Sequence, residues 1–304
     1  MVKAKKQKIK KPGDNPLYAR VIIGIIVAIF GIIAAYPFIN VLAKSLSESH
    51  AMWEHPMMIW PHNFSLDAYE YILGTPMLNK AFMTSVIVTV AGTFLNVVFT
   101  VTTAYSLSRI HAPGNKMMLW YVVIPMLFGG GLVPFYILLK NLKMLDTMWA
   151  LIIPGLIAPA NVFLVRNFFW GIPDSLTEAA LIDGASEFQV LTRIILPLSK
   201  AVIATIALFY AVGHWNDYFS GLMYINDNTK WPLQVLLKSI IIDMSSLAMK
   251  GGNTNALNEM GKVKLQPENI RNAVIIYSTI PILLIYPFIQ KYFAKGIIIG
   301  AVKQ

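Results

Sequence analysis

Within this 304-residue chain, the side chains best equipped for chemistry fall into a few short clusters. His214-Trp215-Asn216-Asp217-Tyr218 places ionisable, amide and aromatic groups inside an apolar run. Asn216 offers donors and an acceptor to sugar hydroxyls, and Trp215 and Tyr218 offer faces for a pyranose ring. Ionisable groups in such a setting are costly and often functional. The alternative is an aromatic belt or helix contacts, since residue 217 lies about 25 Å along a helix that starts near 200. Asn96, flanked by Thr93, Thr100, Thr102 and Thr103, reads first as an interhelical hydrogen-bonding group and second as a substrate contact. His50, Glu54, His55 and His62 can be drawn as a metal cluster, but their spacing matches no HExxH or facial arrangement, and they read as solvated loop residues. Gly129-Gly130-Gly131 lacks the Lys-Ser/Thr ending of a phosphate loop. With no cysteine, thiol catalysis and zinc-thiolate sites are excluded.

The elements that must carry these groups are membrane helices. The chain is 56% hydrophobic and only 13% charged, about half the charge of an ordinary soluble domain. Its mean hydropathy of +0.60 indicates lipid exposure. Six runs reach the roughly 20 apolar residues a bilayer requires, at about 20–43, 81–107, 117–140, 148–168, 200–223 and 270–290. The first is too long for a signal-peptide core and lacks small cleavage residues, so it reads as a retained span. Six lysines crowd residues 3–11, and the net charge is +10. That basic tail (residues 1–19) predicts an N-terminus held in the cytoplasm beside anionic headgroups. With both termini inside, 15 of the 25 Lys and Arg fall on the inner side. Nucleic-acid binding is excluded because aromatics and arginines are not interleaved in a patch. Two outer segments, 44–80 and 224–269, exceed the length of passive connections and read as binding surfaces, with Leu233 to Met244 as an interfacial helix.

The inner connection from Pro173 to Pro197 reads PDSLTEAALIDGASEFQVLTRIILP. Ser175 with Glu178 predicts a capping box and a helix start. Gly184 predicts a left-handed stop. Ser186 with Gln189 predicts a second capping box and a helix running to Ile195 before Pro197. Two short helices with a tight glycine corner should project from the lysine-rich face. Physically this describes an ordinary helical hairpin as well as it does a docking element.

The full string settles the choice by resemblance. Glu178-Ala179-Ala180, then Gly184, then Ile194 and Leu196-Pro197 resemble the EAA motif of binding-protein-dependent ABC importer permeases at every position. Ala104-Tyr105-Ser106-Leu107-Ser108-Arg109, Asn161 to Arg166, Trp215-Asn216-Asp217, and Gln290-Lys291-Tyr292-Phe293 with Lys295-Gly296 are similar to the MalG-type carbohydrate permeases. Gly129 to Pro134 and Leu265-Gln266-Pro267-Glu268 resemble the LplC/YtcP-like subgroup.

The resemblance implies an all-α polytopic fold of the MetI-like ABC permease type, N-in and C-in, filling residues 20–304 in the bacterial cell membrane. It implies a non-catalytic subunit that lines the path for an oligosaccharide together with a second homologous permease. An extracytoplasmic sugar-binding protein would deliver the substrate, and a cytoplasmic ABC ATPase dimer would carry ATP and Mg²⁺. Glu178, Ala179, Ala180, Asp183, Gly184 and Ala185 would form the ATPase-coupling contact. Trp215, Asn216, Asp217, Tyr218 and Asn96 are the substrate-path candidates. The subgroup points to plant- or algal-derived, uronate-containing sugars, with a glycerol-phosphate or other polar solute as the runner-up. An intramembrane enzyme would need a catalytic constellation beyond the His-x-x-Asp pair, and a channel or secondary transporter would have no use for the EAA loop.

Overall fold

The computed structural model describes residues 17–48, 50–110, 112–249 and 267–301. The lysine-rich tail and the 250–266 part of the second outer segment lie outside the described residues. Among those described, the only β pairing is the isolated bridge Ser47 to Phe64; everything else is helix and connection.

Among the described residues two helices are each long and apolar enough to cross a membrane unbroken: α1 (Leu17–Ser45) and α4 (Pro76–Ser108). The 33 residues of α4 give a rod of about 50 Å. Along it run the small and polar residues that other helices approach: Ser85, Thr89, Gly92, Asn96, Thr100, Thr103 and Ala104 are all buried. None of the apolar window of α1 is buried, which suits a lipid-facing span. Its Ser45 end is tied down by Asn40 Nδ2, donating to the Met58 carbonyl at 2.8 Å, and by Lys44, 3.5 Å from Glu268.

The third and fourth apolar runs are broken, unlike the continuous spans expected at 117–140 and 148–168. Helices α5 (Asn115–Leu127) and α6 (Leu132–Asn141) meet at 120°. Pro125 interrupts the first, and the break falls on the Gly129 to Gly131 run. Asn115 is bound to the Ser108 end of α4, and the turn after α6 packs against Tyr224, whose neighbour Ile225 shares a core with Val88 of α4. A short helix α7 (Trp149–Ile152) continues as a 3₁₀ turn to Gly155, then bends by 49° into α8 (Pro159–Trp170). Pro154 and Pro159 account for that bend. The fifth run also stops short of 223. Helix α12 (Lys200–Asn216) ends at Asp217 and is followed by α13 (Phe219–Tyr224).

The outer segments are structured. The first holds α2 (Ala51–Glu54) and α3 (Asp67–Gly74), the latter buried through Ala68 and Ile72. The second holds α14 (Leu233–Met249), which docks one face on the helix bundle: Leu233, Val235, Leu236 and Leu237 are buried, and the Leu233 amide donates to Ser85 Oγ of α4 at 2.8 Å. The last helix, α15 (Pro267–Ala301), lies against α1, α3, α12 and α14. The Asn269 amide donates to the Ser47 carbonyl at 2.7 Å.

Asp146, in the turn after α6, pins this end of the molecule. Its carboxylate accepts from the Asn226 amide at 2.5 Å, the Asp227 amide at 3.0 Å and Asn226 Nδ2 at 3.2 Å. These donors, the Asp227 backbone N–H first, hold its pKa below the usual carboxylate value. A depressed pKa stabilises the fold above the unfolded-state value and is lost as pH falls through the folded one. Asp146→Ala should therefore speed amide exchange over residues 224–230 at neutral pH, and parent and variant should converge as the carboxylate protonates.

Candidate functional site

The loop between α8 and α12 starts with α9 (Asp174–Ile182). The helix begins one residue before Ser175, with Pro173 extended at its cap position and Asp174 in the first turn, and Ser175 makes no capping bond. The expected first capping box is thus absent; the proline-directed start takes its place and sets an acidic group at the positive helix end.

The C-terminus forms a Schellman motif. The Ala185 amide donates to the Ala180 carbonyl at 2.9 Å and the Gly184 amide to the Leu181 carbonyl at 3.1 Å, with Gly184 at φ +86°. No β-carbon is tolerated cheaply in that conformation, which is why the corner needs glycine. The second capping box is present: Ser186 Oγ accepts from the Gln189 amide at 3.3 Å, and Gln189 Oε1 accepts from the Ser186 amide at 2.8 Å. It opens α10 (Glu187–Val190).

The helix then continues through a π turn at Leu191–Ile195 into α11 (Leu196–Leu198), passing Pro197 without stopping at Ile195 as expected. The wide turn absorbs the carbonyl that Pro197 cannot engage. An 85° bend at Ser199 then leads into α12.

The six EAA-loop residues divide by direction. Glu178, Ala179, Asp183 and Gly184 are exposed, whereas Ala180 and Ala185 pack against the protein's own core of Val190, Leu191 and Ile195. Beside the exposed set stand two residues the sequence reading passed over: Ile182 at 86% exposure and Phe188 at 73%. Apolar groups presented this way on a polar elbow mark a contact surface.

Behind the elbow lies the Ser108 end of α4, whose last carbonyls all have side-chain partners from other helices. Arg166 Nε donates to Leu107 at 3.1 Å and Trp170 Nε1 to Ser108 at 3.0 Å; Asn115 Nδ2 reaches Ser106 at 3.1 Å and Arg109 at 2.9 Å. Arg166 also stacks on the Trp170 ring at 3.7 Å. Helix termini leave such carbonyls orphaned, and here α5 and α8 cap α4 in trans. The resemblance had singled out Ala104–Arg109 and Asn161–Arg166 as strings; their joint role needed three dimensions.

The substrate-path candidates do not form one site. Trp215 is 5% exposed, donates to the Ser278 carbonyl at 3.1 Å and meets Phe82 edge-on, so it packs α12 against α15 and α4. Asp217 Oδ1 accepts from the Ser220 amide at 3.0 Å at the start of α13, and Tyr218 lies under the Lys238 ammonium at 4.7 Å. Asn216 is exposed and makes no side-chain hydrogen bond. Asn96 is fully buried: its Nδ2 donates to the Gly155 and Leu156 carbonyls at 2.5 and 3.0 Å, and its Oδ1 lies 2.7 Å from His214 Nε2. Gly92 makes room for that imidazole, since a β-carbon there would sit 2.5 Å from Nε2. One turn further along α4, Thr100 Oγ1 lies 2.7 Å from the Tyr210 hydroxyl, which accepts from the Ala158 amide at 3.1 Å. Asn96 and Tyr210 thus pair the backbone groups freed where α7 gives way to α8, and Asn96 is a structural residue. Among the described residues no group of three or more acidic, His or Cys residues could hold a metal. His55 and His62 stack on each other at 4.2 Å.

Apolar broken helices gathered on one unbroken rod, with a polar elbow turned outward at one end, define a helical membrane transport protein of the permease class. The chain belongs to the family of binding-protein-dependent transport system inner membrane components, whose profile matches residues 15–299. It is 45% identical over 273 residues to protein LplC of Bacillus subtilis (strain 168), covering 90% of each chain. It is 43% identical over 290 residues to the polygalacturonan/rhamnogalacturonan transport system permease protein YtcP of the same organism, covering 95% of this chain and 99% of YtcP. Among solved structures it resembles a chain of a bacterial ABC transporter involved in the import of the acidic polysaccharide alginate. The TM-score is 0.84 and the identity 28%, over 94% of this chain and all of that one.

Asn96→Leu should strand the Gly155 and Leu156 carbonyls. We expect a loss of about 1–3 kcal/mol in denaturant titration of the micellar protein, toward the low end if the unfolded membrane state finds new partners.

Proposed function

We propose that this chain is the permease subunit of an ATP-driven importer for a uronate-bearing oligosaccharide. It would work with a second homologous permease, a cytoplasmic ATPase dimer that binds ATP and Mg²⁺, and an extracytoplasmic binding protein. The observation that carries the reading is the elbow at 174–190, whose Schellman corner thrusts Ile182 and Phe188 into solvent beside Glu178, Ala179 and Asp183. A membrane protein has little reason to expose two large apolar groups on a capped, rigid projection unless a partner covers them. On this reading the ATPase supplies all phosphate chemistry and this chain supplies none.

The crossings are six: α1, α4, the α5–α6 pair, the α7–α8 pair, α12 with α13, and α15. The elbow and both chain ends then lie on the cytoplasmic side, in keeping with the lysine-rich N-terminus. The uronate class rests on the relatives, since YtcP is named for polygalacturonan and rhamnogalacturonan and the solved transporter for alginate. Of the candidate path residues Asn216 fits best, because its amide is exposed and unengaged.

Ile182→Asp or Gly184→Pro should release the ATPase from the purified complex and abolish uptake, while membrane insertion persists. Retention of the ATPase by both variants would overturn the reading. Asn216→Ala should lower uptake of oligogalacturonide or cut substrate-stimulated ATP hydrolysis without loss of the ATPase; if neither changes, Asn216 lies off the path.

A further inference from the structure

Behind the elbow is a cleft of 790 Å³ lined by both polar and apolar side chains. Into it, from the cap position just past α4, reaches Arg109, whose guanidinium engages both limbs of the elbow at once. Nη1 donates to Thr177 Oγ1 of α9 at 3.2 Å, and Nη2 lies 3.4 Å from Glu187 Oε2 of α10. Nη2 also donates to the Tyr105 hydroxyl at 2.8 Å, and that hydroxyl donates to the same Glu187 carboxylate. Tyr105 and Thr177 are buried, and Thr177 is further bound to the Asp174 carbonyl at 2.8 Å. One side chain therefore fixes α9 and α10 relative to each other and both relative to α4.

This connection differs in kind from the covalent ones. On leaving α10 the chain reaches α12 only through a π turn and an 85° bend at Ser199, a route that can flex. The link through Arg109 is short and converges on the rod that contacts α12 at Thr100–Tyr210 and Asn96–His214. A planar fork with separate donors can hold two acceptors on two helices; a lysine ammonium cannot reproduce that geometry.

We propose that Arg109, with Tyr105 and Glu187, is a positioning latch that transmits displacement of the elbow to α4, so that α4 moves with the ATPase. This rests on the elbow being the ATPase contact, and it adds that docking and transmission are carried by different residues. The latch lies inside the chain and forms none of the outward surface that Ile182 and Phe188 offer.

The chain contains no cysteine, so single labels can be placed directly. Lys80→Cys or Met83→Cys puts a thiol on an exposed stretch of α4 near its outer, water-facing end. In the assembled complex the maleimide labelling rate at these sites is measured with and without MgATP and vanadate. In the parent the rate should change severalfold. In Arg109→Gln and Arg109→Lys the change should disappear while the ATPase still co-purifies, and Tyr105→Phe should show a reduced change. Glu187→Gln combined with Arg109→Gln should be no worse than Arg109→Gln alone, because both break one link.

An undiminished labelling response in Arg109→Gln would overturn the proposal, as would loss of the ATPase from that variant, which would place Arg109 in docking. If Arg109→Gln does not accumulate, Tyr105→Phe decides, since it removes one hydroxyl and an unchanged response there refutes the latch. Failure of the elbow reading shows separately, as ATPase retained by Ile182→Asp.

Discussion

Where water is absent, every backbone N–H and C=O freed by a broken helix must find a partner within the protein, and that requirement organises this molecule. Among the described residues three of its apolar runs are interrupted, whereas α4 runs unbroken beside them. At mid-length α4 offers Asn96 to the Gly155 and Leu156 carbonyls, and through Thr100 it holds the tyrosine that binds the Ala158 amide. At its Ser108 end the traffic reverses, and Arg166, Trp170 and Asn115 cap the carbonyls of α4. Each such pairing left unmade costs about 1–3 kcal/mol, so the breaks and the rod have to be present together.

The same requirement explains what was legible in the sequence. The glycine corner and the Ser186 cap depend on local chemistry, and they appear where composition and spacing place them. The breaks at 128–131 and 156–158 were signalled only by glycine and proline, which mark a helix as interruptible without saying that it is interrupted. At 156–158 the cost is met by residues 50 or more positions away, as with Asn96 and Leu156, and no local pattern carries that information. Trp215 illustrates the converse error. An aromatic beside amide and carboxylate groups looks like a sugar platform, but burial against Phe82 and the Ser278 carbonyl absorbs both its face and its N–H. Arg109 was visible as part of a string, but its partners Thr177 and Glu187 lie 68 and 78 residues on.

In the elbow, residues of one motif divide between two tasks. A Schellman corner brings the residue after the glycine back over the last turn, so Ala180 and Ala185 meet on the inner side and face the core. Small side chains there let the two limbs close on Val190 and Leu191, which is a packing role within this chain. The outward side is left to Glu178, Ala179, Ile182 and Asp183. A motif read as one contact thus separates into an inner row that sets the shape of the elbow and an outer row that presents it.

The pairing of freed backbone groups also constrains how such a molecule can change shape. Separating α8 from α4 would strand the Leu107 and Ser108 carbonyls at one end of α8 and the Gly155 and Leu156 carbonyls at the other. Four unpaired groups would cost several kcal/mol, comparable to the whole of a typical allosteric coupling energy. Helices α4, α7 and α8, with the Asn115 end of α5, must therefore move as one body. Displacement falls most readily where no such pairings to α4 cross: along the unburied apolar window of α1, short of its tied Ser45 end, and at the 120° junction of α5 with α6, where Phe128 to Gly131 are exposed. Rigid-body rocking about these surfaces leaves the pairs that join α4 to α7 and α8 intact, which a change inside the α4 bundle would not.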